Sequence, residues 1–302
     1  MKYLIGCFLY ISAFAIEPSS ELLLQADQTN AEMSSFVAEF PYGKYEICQT
    51  KNGWQFYIDN RNDTVKGTLA EGRDWEPIIG ILIQHFAKAG TVALDIGAHI
   101  GTQSLIMSRA VGPSGQVISF EPQLKIFREL YHNLSLNKCA HNTFLLRNAV
   151  GDKEQVVEMC AEGSGNEGGV GIGKGGDEAR MITVDSLNLT NVSFIKMDIE
   201  GYEFPAIQGA RNTIISSQPV IIFEALGLGL KNPSGGGIQS HAIALPSGSG
   251  EQNFNALMGF FDSLNYSVFR IDETNFIAFP FRKYTPQSRH HFLRPKYHRI
   301  KK

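Results

Sequence analysis

The segment D-I-G-A-H-I-G at 95–101 places an acid, two glycines and a histidine within seven positions, at the end of the run T-V-A-L. An acid closing a strand, followed by glycines that let the backbone turn tightly, brings main chain close to a ligand. A helix starting just past Gly101 offers free N–H groups and a positive dipole end to a carboxylate. Further on, Glu121 closes a second run, Q-V-I-S-F. A carboxylate there can accept hydrogen bonds from both hydroxyls of an adenosine ribose. A dinucleotide dehydrogenase carries an acid in a similar place, but its glycine fingerprint is G-x-G-x-x-G. Here the spacing is G-x-x-x-G, and the missing middle glycine is the one that lets a pyrophosphate approach. A ligand with a ribose and no pyrophosphate fits better, and S-adenosylmethionine is one.

A third group is K-M-D-I-E-G at 196–201. In a methyl transfer the protein has to hold an acceptor oxygen about 3 Å from the methyl carbon and take its proton as it attacks. Asp198 or Glu200 is the candidate base. The competing reading has Asp198 capping the next helix and Glu200 pairing with Lys196 on the surface. Glu224 and His99 are further candidates for orienting substrate. Glu71 and Trp75 sit where they could close over a cofactor, and for Trp75 plain core packing is the favoured reading.

The elements that must hold these residues alternate. Strands are expected at 91–95, 116–120, 143–150, 193–198 and 219–224, with helices at 102–110, 122–138 and 203–215 between them. A helix over 251–264 and a hairpin over 266–272 and 276–281 follow. Strand and helix in this order imply a doubly wound, mostly parallel sheet with helices on both faces, whose ligands bind beyond the carboxyl ends of its strands. Before the sheet, 54–59 reads as part of a strand pair, and a helix from 75 or 77 to 88 presents Ile78, Ile81, Leu82 and His85 on one face. Residues 163–176 hold eight glycines in fourteen positions without a phosphate-loop motif and read as a surface loop. The Gly-, Ser- and Pro-rich stretch 227–250 reads as a lid or an inserted linker.

With 302 residues, 43% hydrophobic and 19% charged, the chain can bury a substantial core. Residues 1–16 form a lysine-led apolar run ending near A-F-A, which reads as a short secretory signal or an N-terminal membrane contact. A buried helix is the alternative. A cofactor made in the cytosol favours a cytoplasmic site, so the compartment stays open. Residues 17–90 are a lead-in, 91–281 the catalytic domain and 282–302 a basic, flexible tail. That tail holds eight of the 27 Lys and Arg and no acid, and is read as a solvated terminus. Nothing here calls for a nucleic-acid partner. The four scattered cysteines have no metal-ligand spacing, so no metal site is expected.

Over 70–226 the sequence resembles the FkbM-type methyltransferases. The matching segments are E-G-R-D-W-E from Glu71, V-A-L-D-I-G-A-H-I-G from Val92, S-F-E-P from Ser119, R-N-A-V-G-D from Arg147, T-V-D-S-L from Thr183, I-K-M-D-I-E-G-Y-E from Ile195 and P-V-I-I-F-E from Pro219. The resemblance implies a class I methyltransferase (Rossmann-like) fold with a seven-stranded sheet, S-adenosylmethionine as methyl donor, and O-methylation of a small-molecule or glycan hydroxyl, such as a sugar or secondary metabolite. It makes Asp95, Gly97, Ala98 and Gly101 contacts to the methionine part and Glu121 the ribose contact. It points to Asn148 and Ala149 for the adenine. His99 stands where the family usually has Asn, and either side chain can donate a hydrogen bond. The alternatives to an O-methyltransferase are a nicotinamide-dependent oxidoreductase and a cofactor-binding module without chemistry.

Overall fold

The computed structural model describes residues 44–160, 167–173, 175–225, 250–281 and 283. The apolar N-terminal run, nearly all of the 227–250 stretch and the basic tail apart from residue 283 lie outside the described residues. The lead-in contributes strands β1 (Glu46–Gln49) and β2 (Gln55–Ile58) and helices α1 (Thr64–Ala70) and α2 (Pro77–Phe86). Then come β3 (Val92–Ile96), α3 (Thr102–Val111), β4 (Gln116–Phe120), α4 (Leu124–Leu136), β5 (Thr143–Leu146), β6 (Asn148–Val150), β7 (Gln155–Cys160), β8 (Gly171–Ile172) and β9 (Asp177–Ile182). The remainder is β10 (Val192–Met197), α5 (Glu203–Gln208), α6 (Arg211–Ser217), β11 (Val220–Glu224), α7 (Gly250–Ser263), β12 (Tyr266–Arg270) and β13 (Asn275–Pro280).

Seven strands form the main sheet in the order β12-β13-β11-β10-β3-β4-β5. Pairing is parallel from β11 through β5, and β13 runs antiparallel to both its neighbours. The sheet is therefore the expected mostly parallel, doubly wound one of class I, Rossmann-like type. Its strand order reverses at β3, which pairs with β4 on one side and β10 on the other. A crevice opens at such a point.

Side chains alternate between the faces of the sheet. Leu94, Ile118, Ile195 and Ile221 pack on one face with Ile207 of α5, Ile214 of α6 and Phe261 of α7. Ala93, Val117, Phe194 and Ile222 pack on the other with Ile83 of α2 and Met107 of α3. A third cluster joins Trp54, Phe56 and Leu69 of the lead-in to Phe127 and Leu130 of α4. Burial on both faces is why the central strands read as continuous apolar runs.

Four expectations are corrected. Helix α2 buries Ile79, Leu82, Ile83 and Phe86, while Ile78 and Ile81 are exposed, so its inward stripe lies one position on from the one expected. The single strand over 143–150 is two, parted at Arg147: β5 stays in the main sheet, and β6 pairs with β9 in a separate sheet of order β6-β9-β7-β8. The glycine-rich stretch contributes β8 to that sheet instead of being wholly loop. The helix over 203–215 breaks at Gly209, where a Cβ would meet the Gly151 carbonyl oxygen at 1.9 Å, so chain passes too close for any side chain.

Among the described residues no helix is long and apolar enough to cross a membrane.

Candidate active site

The carboxyl ends of β3, β4, β10 and β11, with β6 and the lead-in, surround one cavity of about 230 Å³. Of the residues expected at a site, Gly97, Ala98, His99, Glu121, Asn148, Ala149, Asp198 and Glu200 all line it. Asp95 and Gly101 do not. Asp95 is fully buried one step back along β3 and accepts a 2.5 Å hydrogen bond from Ser104 Oγ. Its β10 neighbour in register is Lys196. Gly101 packs on α4, where a Cβ would sit 2.8 Å from Leu130 Cδ1.

The glycine bend serves the fold before any ligand. Gly97 has φ +81°, and a Cβ there would fall 1.9 Å from the Asp198 carbonyl oxygen. The ends of β3 and β10 are thereby pressed together, which sets His99 beside the K-M-D-I-E-G turn. His99 (φ 48°), Glu200 (φ 54°) and Glu76 (φ 44°) all adopt the left-handed region and all line the cavity. Such backbone is costly for side-chain-bearing residues and gathers at functional sites.

Glu121, a lining residue, is 4% exposed. Its Oε2 accepts from the His99 N–H at 3.0 Å and its Oε1 from the Gln123 N–H at 2.9 Å. Each oxygen keeps a lone pair for a ligand hydroxyl. Burial pushes its carboxyl up to about 7, against those two N–H bonds. His99 presents two ring nitrogens that are shielded from water and have no hydrogen-bond partner. Burial drives its pKa down to about 4, so the ring is neutral at physiological pH and can both donate and accept. Orphaned polar atoms beside an open carboxylate are what an adenosyl ligand with ribose hydroxyls would satisfy.

Part of the wall is acidic. Asp198 follows β10 and Glu224 ends β11, which is the neighbouring strand. The oxygens of Asp198, Glu200 and Glu224 lie within 4.8 Å of one another. Lys196, 5% exposed, sits 3.1 Å from Asp198. Burial works against charge on Asp198, but the Lys196 ammonium prevails and holds its carboxyl below the usual range. Glu224 goes the other way. Burial and the Asp198 charge raise it well above the usual range, and the two carboxyls share a hydrogen bond. Burial, with Asp198 and Glu203 nearby, lifts Glu200 to about 8.

The competing readings of these acids are corrected. Asp198 does not cap α5, whose preceding amides at Ile199 and Gly201 donate instead to Glu203 Oε1 at 3.2 Å each. Lys196 is buried and pairs with Asp198, not on the surface with Glu200. Among the described residues a second carboxylate trio, Asp59, Glu129 and Glu167, lies close enough to hold a cation, but Lys66 and Lys125 already neutralise it.

Sequence reasoning missed Glu76 as a lining residue, although it lies in the E-G-R-D-W-E segment. Its carboxylate accepts from Asn275 Nδ2 at 3.1 Å and from Gln103 Nε2 at 3.3 Å. Trp75 lines the cavity and packs on the lead-in cluster, while Glu71 pairs with Arg73 in solvent and is absent from the lining. Met159, Val170 and Ile172 also line it, and nothing in their local sequence marked them; Tyr202, another lining residue, lies in the I-K-M-D-I-E-G-Y-E segment. Asn148 spends its amide Nδ2 on the Arg180 carbonyl at 3.0 Å, leaving its oxygen for a ligand.

Against known proteins, the family model of the methyltransferase FkbM domain matches residues 95–268. Comparison with curated proteins gives no match. Among solved structures, a methyltransferase FkbM from Methylobacillus flagellatus is 17% identical, over 63% of this chain and 43% of that one, with a TM-score of 0.43. An O-methyltransferase from Bacillus cereus in complex with SAH is 15% identical, over 90% of this chain and 95% of that one, at 0.40. A SAM-dependent O-methyltransferase from Thermotoga maritima is 12% identical, over 80% of each chain, at 0.40.

Proposed function

This chain belongs to the FkbM methyltransferase family, and from that premise we propose that it transfers a methyl group from S-adenosylmethionine to a hydroxyl oxygen of a sugar or other small metabolite. The observation that carries the reading is what one cavity brings together: unspent hydrogen-bonding capacity on Glu121 and His99, and the acidic group Asp198, Glu200 and Glu224. S-adenosylmethionine, when bound, supplies an electrophilic methyl on a sulfonium sulfur.

In this reading Glu121 accepts from the ribose hydroxyls, His99 and the 97–98 main chain hold the methionine end, and Asn148 and Ala149 face the base. Asp95 acts from behind the lining through Lys196. Glu200 takes the acceptor's proton. Its pKa of about 8 suits a general base far better than that of Asp198, which Lys196 keeps ionised and weakly basic. Asp198 and the protonated Glu224 fix the acceptor hydroxyl. The acidic wall repels phosphorylated or carboxylated acceptors and favours neutral ones.

The test is incubation of purified protein with methyl-deuterated S-adenosylmethionine and a panel of glycans and hydroxylated metabolites, read by mass spectrometry. Transfer of a CD₃ group to oxygen supports the reading. Transfer to nitrogen alone, or binding of NAD with no affinity for S-adenosylmethionine, overturns it.

A further inference from the structure

Glu200 stands in a turn that is held at three places. The amides just before and just after it, those of Ile199 and Gly201, both donate to Oε1 of Glu203 at 3.2 Å. The Gly201 carbonyl accepts from Nδ2 of Asn253, in α7, at 3.0 Å. Against the start of the turn, the space that a Cβ on Gly97 would need is taken by the Asp198 carbonyl and by Ile199 Cγ2. Glu203, the first residue of α5, is fully buried, and Asn253 is nearly so. Neither belongs to the cavity lining, and the sequence assigned neither a role.

The turn needs such support. Glu200 has φ 54° and Gly201 follows at φ 95°, so a side-chain-bearing residue and its neighbour are left-handed in succession. Backbone of this kind persists only where its surroundings over-determine it. One carboxylate oxygen gathers the amides on both sides of the strained residue, while the Glu200 side chain itself lines the cavity. Burying a carboxylate is costly, and the other oxygen of Glu203 is shielded from water without a partner among the described residues. The two amides it takes lie upstream of α5, in the turn, so the turn is what this acid serves.

Glu203 also reaches Glu200 through space. Burial raises the Glu200 carboxyl most, Asp198 and Glu203 add to it, and Lys196 opposes them. Glu224 belongs to the same group of charges.

We propose that Glu203 is a positioning residue for proton removal: its carboxylate fixes the turn so that the Glu200 carboxyl stays enclosed in the cavity, while Asn253 holds the peptide that follows. The proposal rests on the reading of Glu200 as the base. A base held by the hydrogen bonds of a neighbour keeps its geometry through the reaction.

The test follows the Glu200 carboxyl by carbon-13 NMR in the full, ligand-free chain labelled in its glutamates, with Glu200→Gln identifying the signal. In wild type it is expected to titrate at about 8. Glu203→Ala releases both amides, and the midpoint should fall most of the way to the ordinary glutamate value of about 4.3. Glu203→Gln keeps an oxygen for the amides and loses the charge, so its midpoint should lie below wild type and well above that of Glu203→Ala. S-adenosylhomocysteine affinity, measured by calorimetry, should be unchanged in both. With the compound that takes up CD₃ in the transfer assay, Glu203→Ala should lose tenfold or more in kcat at an unaltered KM for S-adenosylmethionine, and Glu203→Gln should recover most of it.

A wild-type Glu200 midpoint in folded Glu203→Ala overturns the positioning role, as does a midpoint near 4.3 in the wild-type protein. Should Glu203→Ala fail to fold, Glu203→Asp decides, since it keeps the charge and is too short to reach both amides: a lowered midpoint supports the proposal and an unchanged one overturns it. Full turnover in Glu200→Gln overturns the base reading alone, whatever the Glu203 variants do to the Glu200 signal.

Discussion

At the scale of single residues, the site works through carboxyls whose environments push them apart. Glu121 near 7 is most useful as an acceptor when ionised, so cofactor affinity should fall as pH drops through about 7. Glu121→Gln, which removes the charge and keeps the shape, should weaken S-adenosylhomocysteine by about 1–3 kcal/mol and abolish that pH dependence in calorimetry. Unchanged affinity would reject the ribose assignment. For Glu200 the expected signature is kinetic: turnover at saturating cofactor rises with pH through about 8, as the base becomes ionised, and then levels. Glu200→Gln should lower kcat by about 10²–10⁴-fold; a variant that keeps full rate places proton removal elsewhere. The acids at 95, 121, 198 and 200 and the histidine at 99 stood out in the sequence because they follow apolar runs. Their charge states did not, since those depend on Lys196 and on burial that only the fold creates.

At the scale of elements, β3, β4, β10 and β11 were legible because each is a β-branched or apolar run with an acid or a glycine at its end, and β4 falls on its expected bounds. The second sheet was not. Strand β9 begins Asp177-Glu178 and buries only Ala179, Met181 and Ile182 of its six residues, so its sequence looks like solvated loop. Residues 143–150 gave no sign of the break at Arg147, because apolar side chains continue on both sides of it. Charge was misleading in α1 and α4, where Lys66 and Glu129 are wholly buried. Lys66 stands 2.7 Å from both Asp59 and Glu129 and also meets Glu167. Burial opposes its charge, yet those carboxylates keep the ammonium firmly protonated. Lys66→Met would leave Lys125 alone to balance Asp59, Glu129 and Glu167, and it should destabilise the protein by about 3–5 kcal/mol. A urea midpoint equal to wild type would show that the network carries no net stability.

At the scale of the whole molecule, the raised carboxyls store a cost that pH can release. Glu121 and Glu203 near 7 and Glu200 near 8 bind protons more tightly when folded than when unfolded, where a glutamate titrates near 4.3. Their contribution to stability is fully present below that unfolded value and is lost as pH rises through 7 to 8. The melting temperature of the ligand-free protein should therefore fall between about pH 5 and pH 8.5. S-adenosylhomocysteine at a hundred times its Kd should add about 2.7 kcal/mol, and differential scanning fluorimetry at both pH values measures the two effects together. A melting temperature that climbs over this interval would contradict the charge states assigned to the cavity.

The family match ends at residue 268, yet β13 begins at Asn275 and lies between β11 and β12, in the interior of the main sheet and not at its margin. The other limit of the match, Asp95, falls inside β3, and the buried one of the two lysines that meet Glu129 is encoded earlier still, at position 66. Expressed alone, the matched segment would be a broken ladder without the buried lysine that stands 2.7 Å from Glu129. The smallest piece of this chain able to stand by itself is set by hydrogen bonds and ion pairs, and it reaches well past both ends of what homology delimits.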